Sequence, residues 1–148
     1  MLELAVAVRY ASSRLGLEVN RLRRSYERTR DPALLELLRA VLHVQTVLEI
    51  LAVRLETLAS IGIVVSEDLS LLRDVLAAVR SKYAGLQPML ESVLFELENA
   101  TAALAADTSL DVGAPQTPVV SEGRGVEEVL EEARAIAESR LRELLGAG

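Results

Sequence analysis

The stretch from Pro32 to Ser60 constrains the fold more than any other part of the sequence, because aliphatic side chains recur on almost every side of it. Wound as an α-helix, it has leucine, valine and isoleucine over most of its circumference. Such a helix needs neighbours on all sides, so it is predicted to be the central, most buried element of an all-α fold. Only three tyrosines and one phenylalanine occur in the chain, and no tryptophan, which predicts an aliphatic core.

A second long helix is predicted to precede it. Over residues 4–27, apolar side chains recur at intervals of four and three, the spacing of one helix face, at Leu4, Val8, Ala11, Leu15, Val19, Leu22 and Tyr26. Asp31 then supplies a helix-capping acceptor, and Pro32 suits the first position of the next helix. The short connection between the two helices predicts a long antiparallel hairpin.

The remaining sequence predicts three smaller helices. The segment 61–65 is predicted as a connector, Ser66 opens a third helix that ends near Ala84, and Pro88 opens a fourth that ends near Ala106. Residues 107–125 lack an apolar period and are predicted as a flexible linker to an amphipathic C-terminal helix at 126–146. The predicted organisation is a helical core at 1–106, with helices 3 and 4 packed on the hairpin, followed by the linker and a tethered regulatory helix.

The residue inventory indicates a chain that is not an enzyme. There is no cysteine, and His43 is the one histidine in the sequence, so thiolate chemistry and histidine-rich metal sites are excluded. No phosphate-binding glycine loop or converging pair of carboxylates is present, and no cofactor or metal is expected. His43 lies among Leu42, Val44 and Val47 and is predicted to be a core or boundary residue.

Charge is distributed unevenly along the chain. The formal net charge of −6 argues against nucleic-acid binding, yet residues 1–30 hold seven arginines against three glutamates. Arg14, Arg21, Arg24 and Arg28 fall within about an 80° arc opposite the apolar stripe of the first helix. This face can bind anionic lipid or an acidic patch on a neighbouring subunit. Alternatively, it is a solvated face with ordinary salt bridges, as Glu18 and Glu27 suggest.

The chain resembles the archaeal ESCRT-III-like cell-division proteins of the CdvB family over Leu48–Leu104 and Val126–Leu141. Matching positions in the first region are Arg54, Leu55, Glu56, Thr57, Gly62, Val64, Val65 and Pro88. In the second region they are Glu131, Glu132, Ala133, Ala137 and Glu138. The first two helices are shorter than the family norm, and a winged-helix extension is not expected, so the resemblance is to a short paralog.

The resemblance implies a subunit that assembles into filaments with itself and with paralogous subunits, and that remodels or cuts an anionic membrane surface during cell division or vesicle budding. A separate AAA-type ATPase is then expected to disassemble the filament. The resemblance also implies that the acidic C-terminal helix folds back as an autoinhibitory element, here onto the basic hairpin. The residues assigned to that helix are Val129, Leu130, Glu131, Glu132, Ala133, Ile136 and Leu141.

Other interpretations are open at this stage. The C-terminal helix can be a solvated tail, and Glu56 can either attract a partner's arginine or be an ordinary surface acid. The whole chain can be a soluble helical adaptor or dimerisation module without membrane activity. Glu3 and Arg9 do not fit the start of a signal peptide, so a cytoplasmic protein, peripheral at the inner face of the membrane, is expected.

Overall fold

The computed structural model describes residues 2–62, 66–112 and 122–146. Over these ranges the chain forms five α-helices and no strand, which confirms the all-α prediction. The helices are α1 (Leu2–Thr29), α2 (Pro32–Ile61), α3 (Ser66–Lys82), α4 (Pro88–Val112) and α5 (Glu122–Gly146).

Local capping chemistry sets the junction between α1 and α2. The Asp31 side chain accepts a hydrogen bond from the backbone N–H of Ala33 at 3.0 Å, and Pro32 occupies the first turn. Arg30 adopts a positive φ of 56°, which reverses the chain between the two helices. The structure therefore confirms the helix cap predicted from Asp31 and Pro32.

Two glycines in the left-handed conformation follow helix ends. Gly62 caps α2 with φ 79° and donates its N–H to the carbonyls of Leu58 and Ala59 at 3.0 and 3.2 Å. Gly85, with φ 76°, lies in the turn between α3 and α4, where its N–H donates to the Glu91 carboxylate. Glycine adopts this conformation without the steric cost that other residues carry.

The boundaries of the last two helices differ from the prediction. Helix α4 continues to Val112 and α5 begins at Glu122, so 107–112 and 122–125 are helical although they were assigned to the linker. Extending an existing helix costs far less than nucleating one, so a helix can continue past the last residue of its apolar period. The rest of the predicted linker, 113–121, lies outside the described residues.

Helix α2 is packed between α1 and α5, while α3 and α4 pack against each other. Helix α3 also contacts α5, and α4 also contacts α1. Arg9 near the start of α1 pairs with Glu56 near the end of α2, which shows that the two helices run in opposite directions. All five helices contribute to one hydrophobic core. Helix α2 has more buried residues than α1.

The core is aliphatic. Its largest fully buried side chains are Leu15, Leu22, Leu38, Leu48, Leu51, Leu69, Leu72, Leu76, Leu90 and Leu94. Burying a leucine contributes about 1.5–3 kcal/mol relative to leaving it in water, so this cluster supplies the main driving force for folding. Within the described ranges, no helix combines the length and apolar character needed to cross a membrane.

Candidate functional site

The four arginines predicted as a contact surface lie on the side of α1 away from the core. The Arg21 side chain is 62% exposed and donates to the carboxylate of Glu18, with Nε 2.9 Å from Oε1. Arg14 Nη1 lies 3.9 Å from Glu96 Oε1 of α4, and Arg24 Nε lies 3.4 Å from the Asn20 carbonyl. Arg28 is exposed in the last turn. Arg14 and Arg21 thus form ion pairs, as the salt-bridge interpretation expects.

The same side of α1 carries a row of exposed apolar side chains that was not among the predicted contact residues. Leu2, Val6, Tyr10 and Leu17 are 63%, 60%, 66% and 73% exposed. At 100° per residue they fall within about an 80° arc, opposite the buried stripe. Together with Arg21, Arg24 and Arg28 they form what we call the outer face of α1. The spacing of Leu2, Val6 and Tyr10 was the sequence signal for it.

Glu18 is an acidic residue of α1 that the structure buries almost completely, at 9% exposed. It accepts hydrogen bonds from Arg21 on its own helix and from the Gln87 amide in the turn before α4. Hydrogen bonding from Arg21 lowers the pKa of Glu18, although burial opposes this shift. Glu18 therefore links α1 to the turn before α4.

Several residues on which the resemblance rests lie near the end of α2. Glu56 accepts two hydrogen bonds from Arg9 of α1, at 2.8 and 2.9 Å, and this guanidinium lowers the pKa of Glu56. Arg54 Nε lies 3.5 Å from Asp68 Oδ1 of α3. Leu55 is buried in the core, and the Thr57 hydroxyl donates to the Val53 carbonyl. The arginine that Glu56 attracts within the chain is thus Arg9.

The other motif positions have local roles or lie outside the described residues. Gly62 caps α2 and Pro88 is the exposed first residue of α4. Val64 and Val65 lie outside the described residues.

We expect Gly62→Ala to lower the free energy of unfolding by about 1 kcal/mol, because an alanine Cβ is strained at positive φ. No atom lies within 4 Å of the position of that Cβ, so the cost comes from the backbone alone. Urea unfolding followed by circular dichroism measures it. Gly146→Ala is the matched control, since Gly146 is helical with open space around it and should lose no stability. Equal stability of the two variants would contradict the assignment of Gly62 as a helix cap that requires glycine.

Helix α5 is docked through its apolar stripe. Val129, Ala133, Ala137 and Leu141 are between 0% and 6% exposed, and α5 packs on α2 and α3. Leu130 and Ile136 are half-buried beside this stripe.

Ion pairs with α2 flank the α5 stripe. Arg39 Nε lies 2.9 Å from Glu138 Oε2, and Arg140 Nη1 lies 2.6 Å from Glu49 Oε1. Glu131 and Glu132 are exposed, and Glu131 pairs with Arg134 of its own helix at 3.6 Å. Helix α5 thus lies against α2 of the hairpin and against α3. Burial of its apolar stripe accounts for this docking, since removing the stripe from water requires a facing apolar surface.

His43 lies where α2, α5 and the end of α3 meet, and is 3% exposed. Its Nε2 lies 3.1 Å from the Leu130 carbonyl of α5, and its Nδ1 is hydrogen-bonded to the Tyr83 hydroxyl. The two rings are edge to face, with centroids 5.7 Å apart. Burial lowers the pKa of His43 and raises the pKa of Tyr83 to about 12. The sequence placed His43 in or beside the core but could not identify these partners.

A cleft of about 570 Å³ opens beside His43 and Tyr83, lined by residues of α2, α5 and the turn after α3. Its charged residues are Glu36, Arg39, Lys82, Arg134 and Glu138, and Arg39 pairs with both glutamates. Among the described residues, no group of three acidic or histidine side chains is arranged to hold a metal ion.

Comparisons of the chain with protein-family models, with curated proteins and with solved structures give no match. The surfaces described above are therefore the basis for assigning a function.

Proposed function

We propose that this chain is a non-enzymatic, ESCRT-III-like subunit that assembles with itself and with paralogous subunits on the cytoplasmic side of an anionic membrane, and remodels or cuts that membrane in cell division or vesicle budding. The docking of α5 by its apolar stripe is the observation that carries the proposal. In the proposal, the described structure is the closed form, in which α5 covers an apolar surface of α2 and α3.

The outer face of α1 supports binding to anionic lipid. A helix that lies in a membrane interface inserts apolar side chains between the acyl chains and keeps basic side chains at the headgroups. The apolar side chains on this face are Leu2, Val6, Tyr10 and Leu17. Positive charge is supplied further along the helix by Arg24 and Arg28. A basic residue near an anionic membrane contributes about 1 kcal/mol.

Release of α5 is the proposed step that starts assembly. Once α5 is released, the apolar surface of α2 and α3 is more stable packed against a second subunit than exposed to water. Release therefore favours polymerisation. The connection between α2 and α3 is the proposed hinge, and the Arg54–Asp68 ion pair spans it. Because that pair is half exposed on the arginine side, it contributes little and opens readily. Disassembly is assigned to a separate AAA-type ATPase.

We expect the double variant Arg24→Glu/Arg28→Glu to bind vesicles of phosphatidylserine and phosphatidylcholine at least about tenfold more weakly than the unmodified chain, because two attractions become two repulsions. Co-sedimentation with the vesicles measures binding, and binding should also fall as salt is raised.

Arg73→Glu/Arg142→Glu is the matched control, because it makes the same change in net charge at exposed positions of α3 and α5. Equal loss of binding in both variants would show that net charge alone acts, and would overturn the role of the outer face. Electron microscopy of the chain on the same vesicles tests for filaments.

The alternative function is a soluble helical adaptor, which the exposed apolar row on α1 also fits, since such a row can pack against a helix of another protein. An adaptor predicts self-association or partner binding with no vesicle binding at any salt concentration. The co-sedimentation experiment separates the two functions.

A further inference from the structure

We propose that the docking of α5 is coupled to protonation of His43, so that acidification from pH 7.5 to 5.5 raises the equilibrium constant for release of α5 from α2 by up to about tenfold. The inference rests on the docked position of α5, and its consequence for assembly rests on the proposed function.

The imidazole of His43 joins three parts of the fold. His43 belongs to α2, Tyr83 follows α3, and Leu130 belongs to α5. In the tautomer protonated at Nε2, the ring donates to the Leu130 carbonyl, and Nδ1 accepts a hydrogen bond from the Tyr83 hydroxyl. Both ring nitrogens then have a partner while the ring is neutral. The docked arrangement therefore accommodates the neutral imidazole with no unpaired nitrogen.

Protonating this ring in place is unfavourable. Burial of the ring is the largest cause that lowers the pKa of His43, and the hydrogen bond to Leu130 opposes it. Lys82 at the end of α3 and Arg134 of α5 also lower this pKa, whereas Glu131 raises it. Glu138, Glu36 and Arg39 face the same cleft, where Arg39 pairs with both glutamates. Burial and the two cations together disfavour the charged ring.

The direction of the pH effect follows from this lowered pKa. When α5 detaches, water reaches the ring and its pKa returns toward the ordinary value of about 6.5. The detached state then binds a proton that the docked state does not bind, so the docked state is most stable above about pH 6.5 and loses stability as the pH falls below it. The equilibrium constant for release should rise by up to about tenfold per pH unit until the docked ring also titrates. Carboxyl groups ordinarily titrate near pH 4, outside this range.

Because the chain has no cysteine, spin labels attach only to cysteines that are introduced by mutation. Because it has one histidine, its imidazole signal belongs to His43. Spin labels on Ser92→Cys of α4 and Ser139→Cys of α5, both exposed positions, report the distance between α5 and the rest of the chain. The single imidazole resonance in NMR spectra reports the protonation of His43 in the unlabelled chain. We expect the population with a long label distance to be up to about tenfold larger at pH 5.5 than at pH 7.5, with unchanged helical circular dichroism. We also expect an imidazole midpoint below 6.5.

Two variants test the cause. His43→Gln retains a donor and an acceptor but does not titrate, so its label distance should be the same at both pH values. Lys82→Gln removes a charge that opposes protonation, so it should raise the imidazole midpoint and reduce the effect of acid. An imidazole midpoint at or above 6.5 with α5 docked throughout would overturn the inference. Acid release that persists in His43→Gln would also overturn it.

The experiments distinguish failure of the control by His43 from failure of the proposed function. If acid lengthens the label distance but no filaments or vesicle binding appear, the control by His43 stands and the filament proposal fails. If filaments form on vesicles at every pH with α5 insensitive to acid, the filament proposal stands and the control by His43 fails.

Discussion

The Ala133→Glu variant will release α5 and increase self-association of the chain. Ala133 is 0% exposed at the centre of the α5 stripe, so glutamate there places a carboxylate against the apolar surface of α2 and α3. Burying an unpaired charge costs on the order of several kcal/mol, comparable to what the few apolar side chains of the stripe contribute. Detaching α5 is the least costly response, because the rest of the core then remains intact.

Ala135→Glu is the matched control, since it adds the same charge to the same helix at an exposed position. Limited proteolysis should cut α5 rapidly in Ala133→Glu and slowly in both the control and the unmodified chain. Analytical ultracentrifugation and electron microscopy then measure assembly. A released α5 with a chain that stays monomeric, with or without anionic vesicles, would contradict the autoinhibitory role of α5.

The second large effect is expected at Leu48, at the middle of the central helix. Leu48 is 0% exposed, and Leu48→Ala should lower the free energy of unfolding by about 2–5 kcal/mol, because it leaves a cavity among close-packed leucines. Leu17→Ala makes the same chemical change on the outer face of α1, where the side chain is 73% exposed, and should change stability by no more than about 0.5 kcal/mol. Urea unfolding measures both.

For binding to membranes, the larger effect is expected from Leu17→Ala rather than from Leu48→Ala. Leu17→Ala removes apolar surface that inserts into the bilayer, so its binding to anionic vesicles should fall up to about tenfold. Leu48 does not reach the surface, so Leu48→Ala should bind as the unmodified chain does under conditions in which it remains folded. If Leu17→Ala binds vesicles normally, the apolar row on α1 contacts protein rather than lipid.

Much of the fold was predictable because helix formation depends on interactions between residues near each other in sequence. The capping of α2 by Asp31 and Pro32, and the start of α4 at Pro88, follow from side-chain and backbone chemistry within one helical turn. The buried stripe of α1 was predictable in the same way from its spacing. The continuation of α4 to Val112 was missed, since no apolar period marks it.

The partners across the fold were not predictable. Arg9 with Glu56, Glu18 with Gln87, and His43 with Tyr83 and Leu130 are separated by 40 or more residues in sequence. Many acidic and basic residues could have formed such pairs. Which of them meet depends on how the helices are arranged, and nothing in the local sequence of either partner records it.

The sequence by itself thus determined an all-helical chain with an aliphatic core, a central α2, and an apolar stripe on α5 that needs a cover. Only the tertiary structure decided that this stripe docks on α2 and α3 rather than beside the arginines of α1, and that an apolar row remains exposed on α1. The reason is physical: hydrophobic attraction has no direction, so a stripe predicts that it will be buried, whereas the surface that buries it is selected by the shapes of all five helices packed together.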